Sequence, residues 1–234
     1  MLGIGPGSPT VLERQGIHFD RPLVRLRETV DVVRRLLWRE EVCFAGETMQ
    51  VAGAQLDFSP IRSTIPIYLG VTGPKALALA GEIADGVILN EFVSLEYTKR
   101  AIEIVRSSAR ASGRDPDEVE ITGSILVSVD TNTKTALDAA RPLAALYLAK
   151  FPNVAQESGL PADLISHIAA VYRREGAQAA TELVTDAIVS DLTCAGTIVE
   201  VQEGLARRRG AGVDLPIASL AQSSMIPWLG QLVQ

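Results

Sequence analysis

The chain has 234 residues, 47% of them hydrophobic, and 28 acidic against 22 basic side chains give a net charge of −6. That length is enough for a substantial core, and the acidic balance, with a single short basic run at Arg207-Arg208-Arg209, argues against a nucleic-acid surface. Two distant cysteines, Cys43 and Cys194, and two histidines, His18 and His167, give neither a disulfide framework nor a metal site.

No apolar stretch is long enough to span a membrane, because Lys75, Glu82 and Asp85 interrupt the longest ones. The first residues lack the basic and apolar regions of a signal peptide. The expectation is a soluble, cytoplasmic α/β protein.

Leu2 to Ile4 reads as a very short strand, with Gly5-Pro6-Gly7-Ser8 as the loop leaving its carboxyl end. The G-x-G-x-G spacing is not a dinucleotide fingerprint, and the next periodic helix starts well downstream. Glu13, Arg14 and His18 fall in the intervening loop. Asp20 to Trp38 is a helix, with Asp20 as cap, Pro22 in the first turn, and Leu23, Leu26, Val30, Val33 and Leu37 as its apolar stripe. Its charged residues, Glu28 among them, read as a solvated face. Val42 to Leu56 reads as a hairpin turning at Gly46.

Pro66 to Asn90 is the most informative stretch. Ile67 to Leu69 is a short buried strand, Gly70 to Pro74 a turn, Lys75 to Ile83 a small-residue helix, and Val87 to Leu89 a second strand after Asp85-Gly86. Pro74 suits the first helical position. Such a turn binds anions, since the first amides of a helix lack internal partners and the dipole is positive there. The amides of Gly73, Lys75 and Ala76 and the Thr72 hydroxyl are the candidate donors. Gly70 and Gly73 allow a phosphate to approach the backbone. Lys75 adds a point charge. Asn90 and Glu91 follow the second strand's end and are weaker pocket candidates.

Leu95 to Ser112 is an amphipathic helix with Thr98, Ala101, Ile102, Val105 and Ala109 inward, stopped by Gly113. Val119 to Val129 is a strand and Thr133 to Lys150 a helix. Pro152 to Pro161 reads as a loop, Ala162 to Glu175 and Ala177 to Ile188 as helices. Thr197 with Glu200 forms a capping box for a helix with Ile198, Val201 and Leu205 inward. Cys194 reads as a small apolar filler, and the arginine run as solvated surface complementing the helix end. Leu215 to Leu220 is the last strand. Five parallel strands alternating with helices, with one inserted hairpin, give an α/β fold over residues 1–234 as a single domain.

Four segments carry a family resemblance: Leu2 to Pro9, Gly16 to Leu37, Pro66 to Leu89 and Ala195 to Asp214. They resemble the luciferase-like monooxygenase superfamily, nearest its coenzyme F420-dependent branch of methylenetetrahydromethanopterin reductase type. The resemblance implies a (β/α)8 TIM-barrel type of fold, here incomplete at the N-terminus. The Leu2–Ile4 strand resembles the fourth barrel strand and Pro66–Asn90 the fifth βα unit. The three absent units reflect either a truncated frame or a shortened paralogue, and the exposed edges imply a homo-oligomer. The implied function is hydride transfer between reduced F420 and a small organic substrate. The alternatives are an FMN-dependent monooxygenase and a noncatalytic flavin- or deazaflavin-binding paralogue. By resemblance, Pro6 and Gly7 contact the deazaflavin, and Gly70, Thr72, Gly73, Lys75 and Ala76 hold its phosphate. Ser8 stands where some relatives place an acidic proton donor, and a serine cannot serve comparably at neutral pH. Ser8, Glu13 and His18 are the catalytic candidates.

Overall fold

The computed structural model describes residues 1–62 and 64–232, and for residues 10, 229 and 231 the backbone only. The chain divides into two compact units, Met1–Ile88 with Ile104–Glu120, and Leu89–Glu103 with Ile121–Gln234. Among the described residues no helix is long and apolar enough to cross a membrane.

The first unit holds three parallel strands, β1 (Leu2–Ile4), β4 (Ile67–Gly70) and β5 (Gly86–Leu89). Leu2 pairs with Ile67 and Ile4 with Leu69, while Tyr68 pairs with Gly86 and Gly70 with Ile88. α3 (Pro74–Ile83) links β4 to β5 with Pro74 in its first turn, as its fixed φ favours. Ile67, Leu69 and Val87 are fully buried, which explains their unbroken apolar run. The hairpin is present as β2 (Val42–Ala45) and β3 (Gln50–Ala54), antiparallel, with Gly46 N–H bonded to the Met49 carbonyl.

Three expectations at the front of this unit are corrected. The segment after Ser8 is a short helix, α1 (Pro9–Arg14), so Glu13 and Arg14 are helical. Six residues are too few to display a period, and Pro9 supplies a preset helical φ. α2 (Pro22–Leu37) is capped by Arg21, in left-handed conformation at φ 45°, and not by Asp20. Pro22 moves the helix start one residue beyond the aspartate's reach. Glu28 is buried rather than solvated, because the hairpin turn lies on it. Its carboxylate accepts the amides of Glu47 at 2.6 Å and Thr48 at 3.0 Å and the Thr48 hydroxyl at 2.5 Å.

α4 (Leu95–Ala111) buries Thr98, Ala101, Ile102, Val105 and Ala109, the face its periodicity marks. The second unit holds β6 (Glu120–Val129), with α5 (Thr133–Lys150), α6 (Pro152–Gln156), α7 (Ala162–Glu175), α8 (Ala177–Glu182), α9 (Asp186–Leu192), β7 (Cys194–Gly196), α10 (Ile198–Gly210), β8 (Leu215–Leu220) and α11 (Leu229–Leu232). β6 pairs in parallel with β7 and with β8. The parallel strands therefore number three in each unit among the described residues. β7 is the addition to the five expected, and its three residues are too short to show alternation. α6 replaces part of the expected loop. The segment expected as one helix over 177–188 is two, because Thr185 caps a new start by accepting the Ile188 amide. The capping box at Thr197 and Glu200 is present, with Glu200 accepting the Thr197 amide at 2.7 Å.

Two clusters fill this unit. Leu137, Ala144, Leu148, Ile168, Val189 and Leu192 pack α5, α7 and α9 together. Ile125, Val127, Val129, Cys194, Val201 and Leu205 pack α10 on β6 and β7.

Candidate active site

The carboxyl ends of β1 and β4 lie side by side because the two strands pair in register. A Cβ at Gly5 would stand 3.1 Å from the Gly70 carbonyl, so the two loops meet there. Gly7 holds φ +79°, which suits glycine, and the chain then enters α1 through Ser8.

Past β4, Gly73 occupies the N-cap of α3 without any side-chain cap. The space beside Gly70 and Gly73, where a Cβ would stand, is open to 4 Å. The amides of Gly73 and Lys75 have no partner among the described residues. Lys75 is exposed. Two of the expected donors are otherwise placed. The Ala76 amide donates to the Gly73 carbonyl at 3.0 Å, and Thr72 is buried and has an interaction partner of its own. The donors expected for an anion thus narrow to two backbone amides, the Lys75 ammonium and the helix dipole.

The catalytic candidates do not converge. The Ser8 carbonyl accepts the Val11 and Leu12 amides at 3.1 and 3.0 Å, and its hydroxyl caps nothing. Glu13 and His18 are exposed. No hydrogen bond or ion pair joins Ser8, Glu13 and His18 among the described residues.

Beyond β5, in the second unit, Glu91 accepts the Ser124 hydroxyl at 3.1 Å. Burial, and then the Glu91 charge, raise the Tyr147 phenol above its ordinary pKa. The Tyr147 ring lies 4.3 Å from that of Phe92, which holds φ 58°. A bulky residue in that conformation is uncommon. Sequence reading reaches Glu91 from its place after a strand and misses Ser124 and Tyr147, whose only signal is the alternation of β6 and α5.

A cavity of about 630 Å³ lies at the other end of β4, lined by Arg34, Trp38, Pro66, Glu82, Asp85 and Arg114. Its charges are engaged. Arg34 holds both Asp85 oxygens at 3.0 Å, and Arg114 donates to the Gly81 and Ala84 carbonyls at 2.6 and 2.7 Å. Sites in parallel α/β proteins lie at the carboxyl ends of strands, and this cavity lies at the opposite end of β4. No group of three or more metal-ligating side chains occurs among the described residues.

Comparison with known proteins bears on the family and the fold. Residues 1–215 match the model of the luciferase-like monooxygenase family. The chain is 31% identical over 223 residues to 5,10-methylenetetrahydromethanopterin reductase of Archaeoglobus fulgidus, covering 93% of this chain and 66% of the relative. It is 30% identical to the same-named protein of Methanolobus tindarius over 84% of this chain and 60% of the relative. The chain thus spans under two thirds of these relatives. The solved coenzyme F420-dependent tetrahydromethanopterin reductase of Methanopyrus kandleri superposes with a TM-score of 0.82 at 23% identity, over 94% of this chain and 68% of that structure. This likeness assigns the fold as part of a luciferase-like TIM barrel.

Proposed function

This chain belongs to the luciferase-like monooxygenase family, on its F420-dependent reductase branch, and from that premise we propose that it binds coenzyme F420 for hydride transfer to or from a small organic substrate. The observation carrying the proposal is the uncapped α3 terminus, with open space over Gly70 and Gly73 and two unpartnered amides beside the β1 loop. The residues present fit a phosphate there: Gly73, Lys75 and the dipole hold it, Gly70 leaves it room, and Thr72 and Ala76 shape the turn. Pro6 and Gly7 flank the cofactor from the neighbouring loop. When bound, the deazaflavin supplies the hydride chemistry and the protein supplies position and exclusion of water. The whole chain acts as one domain in this reading, since the family match runs through both units.

Titration of the purified chain with F420 and with FMN, separately, tests the cofactor. F420 binding tighter than FMN is expected; equal affinity, or no F420 binding, overturns the assignment. Gly73→Asp places a carboxylate on the anion site and should weaken F420 binding by about tenfold or more. A second reading, a cofactor-binding protein without turnover, draws on Ser8 in the acid's position and on the separation of Ser8, Glu13 and His18. F420 binding without oxidation or reduction of any added substrate would favour it.

A further inference from the structure

Arg208 is buried in the second unit, with 7% of its surface exposed. It stands near the end of α10, and no ion pair joins it to a carboxylate among the described residues. Its guanidinium reaches the Val93 carbonyl at 3.4 and 3.5 Å, beyond ordinary N–H···O lengths. The same group bears on the Cys194 thiol, whose pKa burial raises and the Arg208 charge opposes. A guanidinium has five N–H donors, and those that are partnered here meet a carbonyl and a thiol rather than a carboxylate. Buried charges otherwise persist when paired and hydrogen-bonded. Arg141 in the same unit shows the usual solution, with Asp138 and Asp186 both on its guanidinium.

Arg208 opens onto a cavity of about 130 Å³, together with Arg207, Ser190, Asp191, Thr193 and Cys194. That volume admits a tetrahedral oxyanion. Thr193 gives its hydroxyl to the Val189 carbonyl at 2.7 Å. The donors left are the Ser190 hydroxyl, the Cys194 thiol and the two guanidiniums. Asp191 opposes an anion, so two cationic groups and one carboxylate leave one positive charge to balance.

We propose that this cavity is a binding site for a small oxyanion of the phosphate class, held by Arg207 and Arg208 with Ser190 as hydroxyl donor. It is separate from the turn at Gly73. Inorganic phosphate and the terminus of a phosphomonoester share the chemistry, and Arg207, which is exposed, stands where either would enter.

The test follows thermal unfolding of the Gly73→Asp chain, in which the other anion site is closed. Phosphate is titrated against chloride at matched ionic strength. A saturable rise in Tm with phosphate alone is expected. Arg207→Gln, a change at an exposed position, should weaken the apparent affinity about tenfold, and Arg208→Met should abolish the response. Glycerol 3-phosphate acting as phosphate does would assign a phosphomonoester terminus, and its failure beside a phosphate response would assign the free ion. Equal shifts with chloride and phosphate, or full phosphate affinity in Arg207→Gln, would overturn the proposal.

Discussion

Gly81 sets how closely α3 approaches α4. A Cβ there would stand 2.3 Å from the Val105 carbonyl and 3.1 Å from the Ala109 amide, both backbone atoms that cannot swing aside. Alanine favours a helix over glycine by about 1 kcal/mol, so an exposed Gly81 would gain from substitution. Overpacking costs about 1–3 kcal/mol, and a clash with backbone belongs at the upper end. Gly81→Ala is therefore expected to lower unfolding stability in urea, and an unchanged or raised midpoint would refute the close approach. Gly70 and Gly73 are the opposite case, with open space where a Cβ would stand. The sequence shows small residues at all three positions. It does not show which one faces a helix and which faces solvent, because that is set by contacts across the chain.

Long periodic elements are legible, and so are the short apolar strands β1, β4 and β5, whereas α1, α6 and β7 are not. α4, α5, α7 and β8 fall within a residue of their expected limits, since each shows its period or apolar run over its full length. α1, α6 and β7 have three to six residues and show none. Faces are harder than limits. Arg207, Arg208 and Arg209 are about 100° apart on α10, so a run that reads as solvated surface turns one member inward. Glu28 is the same lesson on α2. Its carboxylate bridges α2 to the hairpin turn, where Gly46 leaves it room; a Cβ there would lie 2.4 Å from the Glu28 Oε1. The Thr48 hydroxyl first, with the Glu47, Thr48 and Met49 amides, holds its pKa below the ordinary value against the opposing effect of burial. A lowered folded pKa gives stability that is present above the unfolded value of roughly 4.3 and is lost as pH falls through the folded one. Hydrogen-exchange protection of the Glu47 and Thr48 amides, corrected for intrinsic rates, should fall below pH ~4 faster than that of α2 itself. Glu28→Gln should remove the excess acid response; a variant that keeps it would show that another group holds the turn.

At the scale of the molecule, the family match over residues 1–215 crosses both compact units. The proposed F420 cradle, with Gly73 and Lys75, lies wholly in the first unit, while the Arg208 cavity lies wholly in the second. A ligand that binds only the folded state stabilises whatever unfolds together with its site, by about 2.7 kcal/mol at a hundredfold excess over Kd. If the chain is one domain, calorimetry shows a single transition, with calorimetric and van't Hoff enthalpies equal. F420 added alone then moves that whole transition, and phosphate added alone to the Gly73→Asp chain moves the same one. Two separable units would instead give two transitions, with F420 shifting only the one that contains Gly73. The single-domain reading expects the first pattern, and an F420-insensitive second transition would refute it while leaving both binding proposals to their own titrations.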